Sequence, residues 1–595
     1  MANGQVVIVT GGSRGFGAAA ARLIASRGNT VVATMRNPGR DAASVVEGLE
    51  DRIVPMELDV LDGEGCRAVV NEVVQRYGRV DALINNAGYG LFGPIEDVNE
   101  QELWRQVDTN VLGQWRMMQA VLPRMRAQGR GKIANVSSTA GRMPAAIIGM
   151  YCASKHAVEA MTESVRYELA NTGVQVTLIE PGMFASDWQT SNLDVCETVR
   201  EGKSAYQATV DRFLSNFQAT AATRPGSASV GAAMADIVEL EQRLPMRWPV
   251  GNDAVHMIPI HRELPDEVWQ HLRHTNAFGN WRRPLYESAP PPPPPADWTW
   301  SRDNVVLITG ASRGFGAAAA RECAARGNTV VAAMRSPGRD GDDVASGFEG
   351  RIVPVELDVT DPAACERVVA DAVARFGHLD VLVNNAGYGL YGPLEDFSEA
   401  EVRRELDTNF FGQWRMLKAV LPHMRGRRLG KVVNVSSLSG QIPSPLMSFY
   451  AASKHAVEAM SEALAEEVSP WNVQVTVLEP GMYRSDWQTT NLDVCERVRS
   501  GASDYQAGVS RSLENFRALA ATRPGSDAVA AAIGDIVQLQ QPLPMRWPIG
   551  NDVISLLQER RGLSDGAWER MVLEWGWGFA PGEVRPPSAT GVRSG

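Results

Sequence analysis

The 595-residue chain is poor in cysteine and has no long hydrophobic run, and each absence removes a class of protein. Its six cysteines form no C-x-x-C pair, so neither a zinc site nor a disulfide framework is indicated. No apolar stretch nears the ~18 residues of a membrane span, and the first residues lack the features of a secretory signal. We therefore expect a cytoplasmic protein without a metal site or membrane contact.

Basic residues are also in deficit, since 58 Lys and Arg face 69 Asp and Glu for a net charge of −11. A nucleic-acid partner requires a basic face, so we expect none. The composition is otherwise globular, with 44% hydrophobic and 21% charged residues, which excludes a disordered, collagen-like or coiled-coil chain. The length suits two domains of about 250–280 residues.

The chain contains a long internal repeat. TGGSRGFG begins at Thr10, and TGASRGFG begins 299 residues later at Thr309. The same offset relates Tyr151 to Tyr450 without a gap, and the likeness fades only after Asn252 and its counterpart. A period this long repeats a whole domain rather than a solenoid unit.

We expect a first domain at residues 1–285 and a second at 302–585, hereafter the first half and the second half. Between them, at 286–301, consecutive prolines favour a polyproline II spacer about 19 Å long at ~3.1 Å per residue. A proline-rich ligand for an aromatic groove is the alternative interpretation. The last residues, 586–595, are expected to form a flexible tail.

Within each half, short β-branched runs alternate with helical patterns. Buried strands separated by helices form a parallel sheet covered on both faces, with right-handed crossovers. The fold class is therefore α/β, with two tandem Rossmann-type, doubly wound parallel sheets that carry helices on both faces. In the first half the pattern predicts strands at 5–10, 30–35, 52–59, 81–85, 132–137 and 174–180, and helices at 18–26, 65–77, 101–126 and 151–170.

A glycine-rich turn follows the first strand of each half. Glycines let backbone N–H groups and a helix N-terminus approach a pyrophosphate. No G-K-[ST] follows the turn, so a dinucleotide is favoured over a nucleoside triphosphate. The spacing is G-x-x-x-G-x-G: Gly11, Gly15 and Gly17, then Gly310, Gly314 and Gly316.

The end of the second strand indicates which dinucleotide binds. A cofactor without a 2′-phosphate usually meets an acidic residue there, whereas this chain has Arg36 and Arg335. Arg14 and Arg313 lie inside the glycine turns. Two guanidinium groups near the ribose suit a phosphate by charge and by forked geometry, so we predict NADP(H) in both halves.

A tyrosine and a lysine four residues apart share one helical face in each half, at Tyr151 and Lys155 and at the equivalent positions of the repeat. A free tyrosine has a pKa of about 10, and we expect the neighbouring ammonium to lower it and so create a general acid and base. The preceding strand ends in Asn-Val-Ser-Ser, which places hydroxyls where a substrate carbonyl could accept a hydrogen bond. Asn-Asn-Ala-Gly ends the fourth strand, and Asp-Thr-Asn is expected to open the next helix.

These motifs, with Asp59-Val60 and Pro181-Gly182, resemble in order and spacing the short-chain dehydrogenase/reductase family, once in each half. The resemblance implies that the tyrosine is the general acid and base and that the lysine lowers its pKa and holds the nicotinamide ribose. It also implies that the serine orients the carbonyl and that the asparagine holds a proton-relay water. The implied catalytic residues are Asn110, Ser138, Tyr151, Lys155, Asn409, Ser437, Tyr450 and Lys454.

The resemblance implies cofactor contacts as well, with an aspartate at the adenine and a Pro-Gly loop at the nicotinamide. The threonine usual after that loop is replaced by Ser186 and Ser485. In the first half the implied contacts are Gly11, Ser13, Arg14, Gly15, Phe16, Gly17, Arg36, Asp59, Val60, Asn86, Ala87, Gly88, Pro181 and Gly182. In the second half they are Gly310, Ser312, Arg313, Gly314, Phe315, Gly316, Arg335, Asp358, Val359, Asn385, Ala386, Gly387, Pro480 and Gly481.

The resemblance implies an NADP(H)-dependent oxidoreductase that reduces ketones or oxidises secondary alcohols by hydride transfer. Met183, Phe184 and Trp188 either line a pocket for a bulky hydrophobic substrate or pack lid helices on the core. Because residues 142–150 differ from residues 441–449, we expect the two pockets to differ. Three alternatives stay open: a redox-neutral epimerase, an NADP(H)-binding regulatory or scaffold protein, and a chain in which one half is structural only.

Members of this family often dimerise through the helices that carry the asparagine and the tyrosine. Trp115 and Trp414, on the first of these helices, are large for a surface position. We hypothesise that the two halves pack against each other as an intramolecular pseudo-dimer.

Overall fold

The computed structural model describes residues 4–185, 193–221, 223–264, 268–269, 303–485, 487 and 490–575. The expected spacer and tail, together with Ser186 and Trp188, lie outside these ranges.

The first half is built on a seven-stranded parallel sheet with the order β3-β2-β1-β4-β6-β7-β9. A separate two-stranded sheet pairs β5 with β8. The strands are β1 Val6–Thr10, β2 Thr30–Met35, β3 Ile53–Glu57, β4 Ala82–Asn85, β5 Gly90–Phe92, β6 Gly131–Val136, β7 Val174–Pro181, β8 Leu193–Val195 and β9 Arg247–Val250.

The second half repeats this sheet in the order β12-β11-β10-β13-β15-β16-β18, with β14 paired to β17. Two tandem doubly wound sheets were predicted, and the fold confirms that prediction. The strands are β10 Val305–Thr309, β11 Thr329–Met334, β12 Ile352–Glu356, β13 Val381–Asn384, β14 Gly389–Tyr391, β15 Gly430–Val435, β16 Val473–Pro480, β17 Leu492–Val494 and β18 Arg546–Ile549.

Helices cover both faces of each sheet. Those of the first half are α1 Gly15–Ser26, α2 Pro38–Asp41, α3 Ala43–Val46, α4 Gly63–Tyr77, α5 Glu100–Val107, α6 Gly113–Gln128, α7 Gly149–Glu168, α8 Glu197–Arg200, α9 Gln207–Ala221, α10 Ala228–Glu239 and α11 Asn252–Glu263. Those of the second half are α12 Gly314–Ala325, α13 Pro337–Ala345, α14 Pro362–Phe376, α15 Glu399–Leu406, α16 Gly412–Arg427, α17 Ser448–Val468, α18 Glu496–Arg499, α19 Gln506–Ala521, α20 Asp527–Gln538, α21 Asn551–Gly562 and α22 Asp565–Glu574.

The first strand shows why each sheet is buried on both sides. Val6 and Ile8 pack into the core on one face, and Val7 and Val9 pack into the core on the other. Successive side chains of a strand point to opposite faces, so a continuous apolar run suits a sheet covered twice. Each fully buried aliphatic side chain contributes about 1.5–3 kcal/mol to the stability of the folded protein.

The strand order reverses between β1 and β4, which both pair with their neighbours in parallel register. At such a switch point the connections leave the sheet in opposite directions and open a crevice at the carboxyl ends of the strands. Thr10, Asn85, Val136 and Pro181 are the last residues of the strands that reach this crevice.

The two halves contact each other through α7 and α17. Gly149 of α7 lies so close to Ala463 of α17 that a Cβ at Gly149 would stand 2.8 Å from the alanine Cβ. Trp115 Nε1 donates to the Leu394 carbonyl at 3.1 Å, and its counterpart Trp414 donates to Ile95 at 3.1 Å. The hydrophobic core therefore runs without a break from one half into the other.

Polar and aromatic contacts surround this seam. Arg116 pairs with Glu399 at 2.7 Å, and the repeat-related Arg415 pairs with Glu100 at 2.5 Å. One contact has no counterpart, because Trp104 stacks on Phe411 at 3.9 Å while the equivalent positions hold an arginine and a leucine.

The last helix of the second half lies on the first half. Trp568 of α22 is 1% exposed and belongs to a small apolar cluster with Tyr167 of α7. Arg166, the neighbour of Tyr167, donates from Nε to Glu569 at 2.6 Å and from Nη2 at 3.1 Å. Both charged side chains are buried.

All six cysteines are buried, and none of them forms a disulfide. Within the described ranges, no helix combines the length and the apolar character needed to cross a bilayer. Over the same ranges, no three His, Cys, Asp or Glu side chains are grouped so that they could hold a metal ion.

Candidate active site

The glycine turn of the first half brings three backbone segments into contact. Gly11 and Gly15 have φ of +64° and +58°, in the left-handed region that glycine adopts without strain. A Cβ on Gly17 would lie 2.3 Å from the Gly11 carbonyl oxygen and 2.5 Å from Asn86 Nδ2. Glycine is thus required at Gly17 by close approach.

A threonine hydroxyl fixes the turn to the neighbouring strand. Thr10 Oγ1 accepts from the backbone N–H groups of Asn86 and Ala87 at 2.9 and 3.0 Å. Asn86 Nδ2 donates in return to the carbonyls of Thr10 and Gly11. Thr309 makes the same bonds in the second half. Neither threonine was predicted as a site residue, although each opens the glycine motif and could have been noticed there.

The helix that follows the turn fits an anion at its start. Helix α1 begins after Arg14 without a hydrogen bond from a capping side chain, whereas Asp62 caps α4. The first N–H groups of a helix require a partner, and an anion such as a phosphate would supply one here. Ser13 and Phe16 flank the turn half-buried, and Phe16 packs edge-on against Phe184 at 5.8 Å.

The predicted arginines lie around this turn. Arg14 and Arg36 are exposed, and both act on Asp41, whose pKa is lowered mainly by its hydrogen bond from Arg40 and further by these two charges. In the second half Arg335 is exposed, and Arg313 Nη1 donates to Thr490 Oγ1 at 3.4 Å.

The remaining cofactor candidates follow the strand ends. Asp59 is exposed, and its carboxylate accepts from the Leu61 N–H at 3.0 Å, while Val60 is buried. Asp358 accepts from Thr360 in the same way. Pro181 ends β7, and the following loop is held by Asp253, whose Oδ2 accepts from the Met183 N–H at 2.8 Å.

Asp253 was not predicted as a site residue. A Cβ on Gly182 would overlap its carboxylate at 1.8 Å, so Gly182 is required for this contact. In the second half, a Cβ on Gly481 would lie 3.0 Å from Asp552. The sequence offered no signal for this contact, because an aspartate at the start of a helix is a common cap.

The structure brings Ser138 and Tyr151 into direct contact. Ser138 lies after β6, half-buried, where its Oγ accepts from the Ala140 N–H at 3.1 Å, and it hydrogen-bonds the phenol of Tyr151. Tyr151 is 7% exposed in the first turn of α7. Ser437 and Tyr450 repeat the pair.

The tyrosine pKa moves opposite to the sequence prediction. Burial raises the pKa of Tyr151 well above its usual value and that of Tyr450 to about 12, and the serine hydrogen bonds oppose this only in part. Removing the phenol from water disfavours the phenolate. Lys155 does not reverse the shift, since its Nζ lies 5.9 Å from the ring centroid and donates to the Val136 carbonyl at 2.9 Å.

The pKa values of the two lysines are also shifted. Burial lowers the pKa of Lys155 and of Lys454 to about 8, because an ammonium loses its hydration in the interior. Gly88 packs over Lys155. A Cβ added to Gly88 would lie 3.7 Å from Lys155 Nζ and 3.0 Å from Asn110 Oδ1, and Gly387 makes the equivalent contact in the second half.

Asn110 does not open a helix as predicted. It lies in a π-helical turn, Asp108–Leu112, that joins α5 to α6 without a break. Its Nδ2 donates to the Tyr89 carbonyl and to Ser154 Oγ at 3.0 and 3.1 Å, so both amide hydrogens serve protein partners. The side chain therefore links the loop after β4 to α7 instead of offering its N–H groups to a water. Asn409 makes the same bonds.

On the substrate side, two aromatic residues belong to the core. Phe184 is 3% exposed and packs in the core beneath the glycine turn, as Tyr483 does in the second half, which favours the packing interpretation of Phe184. In the second half Trp487 instead lies 5.2 Å from the Tyr450 ring, and Phe516 lies 6.0 Å from Trp487.

The two halves also differ in polarity in the layer of side chains next to these rings. Tyr391 approaches Phe516 at 6.3 Å and donates its hydroxyl to Ser512 Oγ at 2.9 Å. The first half has Phe92 and Phe213 at these positions, with ring centroids 6.0 Å apart. A hydroxyl pair in one half thus replaces a phenyl pair in the other.

The chain is similar to known reductases over each half. The family model described as short chain dehydrogenase matches residues 5–195 and 304–494. The 3-ketodihydrosphingosine reductase of Bacteroides thetaiotaomicron is 37% identical over 246 residues, which are 41% of this chain and 87% of that protein. An oxidoreductase of Botryotinia fuckeliana is 34% identical over 274 residues, 45% of this chain and 97% of that protein.

One solved structure resembles both halves together. The N-domain of a bacterial malonyl-CoA reductase, determined with NADP, covers 92% of this chain and 98% of its own with a TM-score of 0.61. At 17% identity this likeness shows the fold alone. The two matches to the family model, on two sheets of the same topology, show that this chain belongs to the short-chain dehydrogenase/reductase family, as a tandem oxidoreductase that acts on CH–OH or C=O groups.

Proposed function

We propose that the protein is an NADPH-dependent carbonyl reductase with an active site in each half. The observation that carries this proposal is the hydrogen-bonded pair of Ser138 and Tyr151 beside the buried Lys155, which is repeated at Ser437 and Tyr450. The raised tyrosine pKa favours reduction, since a protonated phenol is the form that can give a proton to a developing alkoxide.

The glycine turn and its surroundings would hold the cofactor. The pyrophosphate would lie on the N-terminus of α1 above Gly11 and Gly17, where added Cβ atoms would collide with the backbone. Arg14 and Arg36, both exposed beside the turn, supply the positive charge that selects a 2′-phosphate and hence NADP(H) over NAD(H). When bound, the reduced nicotinamide supplies a hydride to the carbonyl carbon.

Residues of the protein bind and protonate the carbonyl oxygen of the substrate. Ser138 and Tyr151 hold the carbonyl oxygen between their hydroxyls, and the phenol gives up its proton as negative charge develops there. Lys155, fixed by the Val136 carbonyl, keeps a positive charge beside the resulting phenolate. With a pKa of about 8, it exchanges protons near neutral pH.

The substrates are bulky, largely hydrophobic ketones. Aromatic residues beside the catalytic tyrosine support this class, including Trp487 and Phe516 in the second half. The hydroxyl pair of Tyr391 and Ser512 favours a more polar substrate in the second half than in the first. The two sites therefore act on different carbonyl compounds or on two positions of one compound.

The halves form an intramolecular pseudo-dimer. The close approach of Gly149 to Ala463, the reciprocal hydrogen bonds of Trp115 and Trp414, and the shared apolar core support this arrangement. Cross-linking and hydrodynamic measurements that found two independently moving domains would contradict it.

Separate Tyr151→Phe and Tyr450→Phe substitutions test the function. NADPH consumption is followed with a panel of bulky ketones, and each variant should lose about 10²–10⁴-fold in rate on the ketones that its own half reduces. The control is Tyr77→Phe on α4, remote from both sites, which should leave turnover unchanged. Calorimetry with NADP⁺ and NAD⁺ tests the cofactor preference.

Other outcomes separate the alternatives. Loss in only one variant would mean that one half is structural. A change of product configuration without net NADPH consumption would indicate an epimerase. Tight NADPH binding without turnover of any carbonyl compound would overturn the proposal in favour of a regulatory protein.

A further inference from the structure

A buried glutamate ends each catalytic helix and reaches into the opposite half. Glu467, at the end of α17, accepts from the backbone N–H groups of Ile95 and Ile147 at 2.8 and 2.9 Å. Glu168, at the end of α7, accepts from Leu394 and Leu446, both at 2.9 Å. The two glutamates are 0% and 2% exposed.

The amides that they bind belong to a strained backbone. Ile147 and Leu446 have φ of +69° and +66°, a conformation that is unfavourable for non-glycine residues and persists only where the surroundings impose it. The Ile147 carbonyl also accepts from the Gly93 N–H at 2.7 Å. Glu467 therefore ties together two loops of the first half, around residues 93–95 and 146–147.

These two loops flank the candidate active site of the first half. The first follows Gly88 and β5, on the substrate side of the crevice. The second connects Ser138 to the N-terminus of α7, where Tyr151 lies in the first turn. The conformation of the second loop thus sets how the serine hydroxyl meets the phenol. The loops of the second half stand in the same relation to Ser437 and Tyr450.

Joining the halves does not by itself require these carboxylates. Ion pairs such as Arg116 with Glu399 and a continuous apolar seam already connect them. Burying a carboxylate removes its hydration, which is strongly unfavourable. Burial raises the pKa of Glu168 and Glu467 to about 8, although the amide bonds favour the ionised form. A buried carboxyl group of this kind is better suited to holding particular backbone N–H groups than to joining the two halves in general.

We propose that Glu467 is a positioning residue for the active site of the first half and Glu168 for that of the second half. Each catalytic helix then serves both sites, with its own tyrosine in the first turn and the loop anchor of the other half 17 residues later, about 25 Å along the helix. Neither active site is complete without the opposite half.

The kinetic test measures each site alone, and it rests on the proposed reductase function. Tyr450→Phe silences the second half, so that turnover reports the first, and Tyr151→Phe does the reverse. Glu467→Gln should lower kcat of the first half by about 10- to 100-fold and leave the second within about two-fold, because misplaced catalytic groups cost about this much. Glu168→Gln should give the opposite pattern. NADPH affinity should stay within about two-fold in both variants.

The control is Glu399→Gln, which removes an ion pair between the halves without touching either loop. It should change neither site by more than about two-fold. Glu467→Asp keeps the carboxyl group but is shorter by one methylene, so it should give a smaller loss confined to the first half. This variant provides the test if the glutamine variant does not fold.

Amide hydrogen exchange tests the same proposal without turnover. In Glu467→Gln, the amides of Ile95 and Ile147 should exchange faster while those of Leu394 and Leu446 stay protected. This result would stand even if no carbonyl substrate were reduced. Equal loss of protection and of turnover in both halves would overturn the proposal and leave the glutamates as ordinary interface contacts. Loss at the glutamate's own half alone would overturn it as well.

Discussion

Tyr151 shows how burial can outweigh a neighbouring charge at the scale of one residue. The spacing of Tyr151 and Lys155 places both on one helical face, as predicted, but the lysine amine turns to the Val136 carbonyl. The hydration lost by the phenol then dominates, and the tyrosine pKa rises. Spacing in a sequence fixes which face a residue occupies, whereas the atom to which an amine donates depends on the tertiary structure.

The hydroxyl pair of the second pocket gives a prediction about specificity. Tyr391→Phe combined with Ser512→Phe gives the second half the phenyl pair of the first. In a Tyr151→Phe background, the KM for ketones with an apolar distal group should fall about 10-fold with little change in kcat, since apolar contacts of this size discriminate to that extent. The measurement is a comparison of KM across a graded ketone series.

Ser510→Phe is the matched control for this pair. It makes the same side-chain change two residues earlier on α19, at an exposed position. It should leave KM unchanged. Equal effects of Ser510→Phe and of the double variant would show that the pair of Tyr391 and Ser512 does not face the substrate.

At the scale of helices and strands, the two catalytic helices carry a pH-dependent contribution. His156 and His455 follow the catalytic lysines, and each ring Nδ1 contacts a backbone carbonyl one turn earlier. Burial lowers the pKa of His156 well below its usual value and that of His455 to about 4. The unfolded chain therefore binds protons first as pH falls below about 6.5, and the folded state loses stability from there down to about pH 4.

Replacing both histidines by glutamine should remove this loss. Between pH 7 and pH 5 the wild-type free energy of unfolding should fall by about 2 kcal/mol per histidine more than that of the double variant. Urea unfolding at the two pH values measures the difference. Parallel losses in wild type and variant would show that these histidines do not set the acid sensitivity.

Most elements of the fold could be predicted from apolar periodicity. The strand at Thr30–Met35 was placed to the residue, and the first six strands of the main sheet were found. The edge strand β9, Arg247–Val250, was missed because four residues that include a proline carry little strand signal. The three-residue strand Gly90–Phe92 is too short for any periodic pattern.

The residues of the candidate site also differ in how well they could be predicted from the sequence. Residues that belong to local motifs, such as Gly17 or Tyr151, could be found because their neighbours in sequence are also their neighbours in space. Glu168 could not, since it binds backbone amides more than two hundred residues away, and a backbone amide leaves no mark on sequence. The place of Phe184 could not be decided from the sequence, because an aromatic residue after a strand suits a pocket wall and a core equally well.

At the scale of the whole molecule, a buried ion pair holds α22 of the second half on the first half. Glu569→Gln leaves the buried Arg166 guanidinium without its carboxylate, and breaking such a pair costs about 3–5 kcal/mol. Urea unfolding should show a loss of this order. Glu574→Gln, exposed on the same helix, should change stability by less than about 0.5 kcal/mol. Similar effects of the two substitutions would contradict a role for the buried ion pair.

The stack of Trp104 on Phe411 has a consequence for how the two halves can diverge. In a symmetric homodimer every substitution appears in both subunits, so the residues that face each other near the two-fold axis cannot change independently. Here the positions related to these two rings hold Arg403 and Leu112. Because the two halves are parts of one chain, an interface residue can change in one half while the equivalent residue of the other half stays the same. The two halves are also always present at a ratio of one to one.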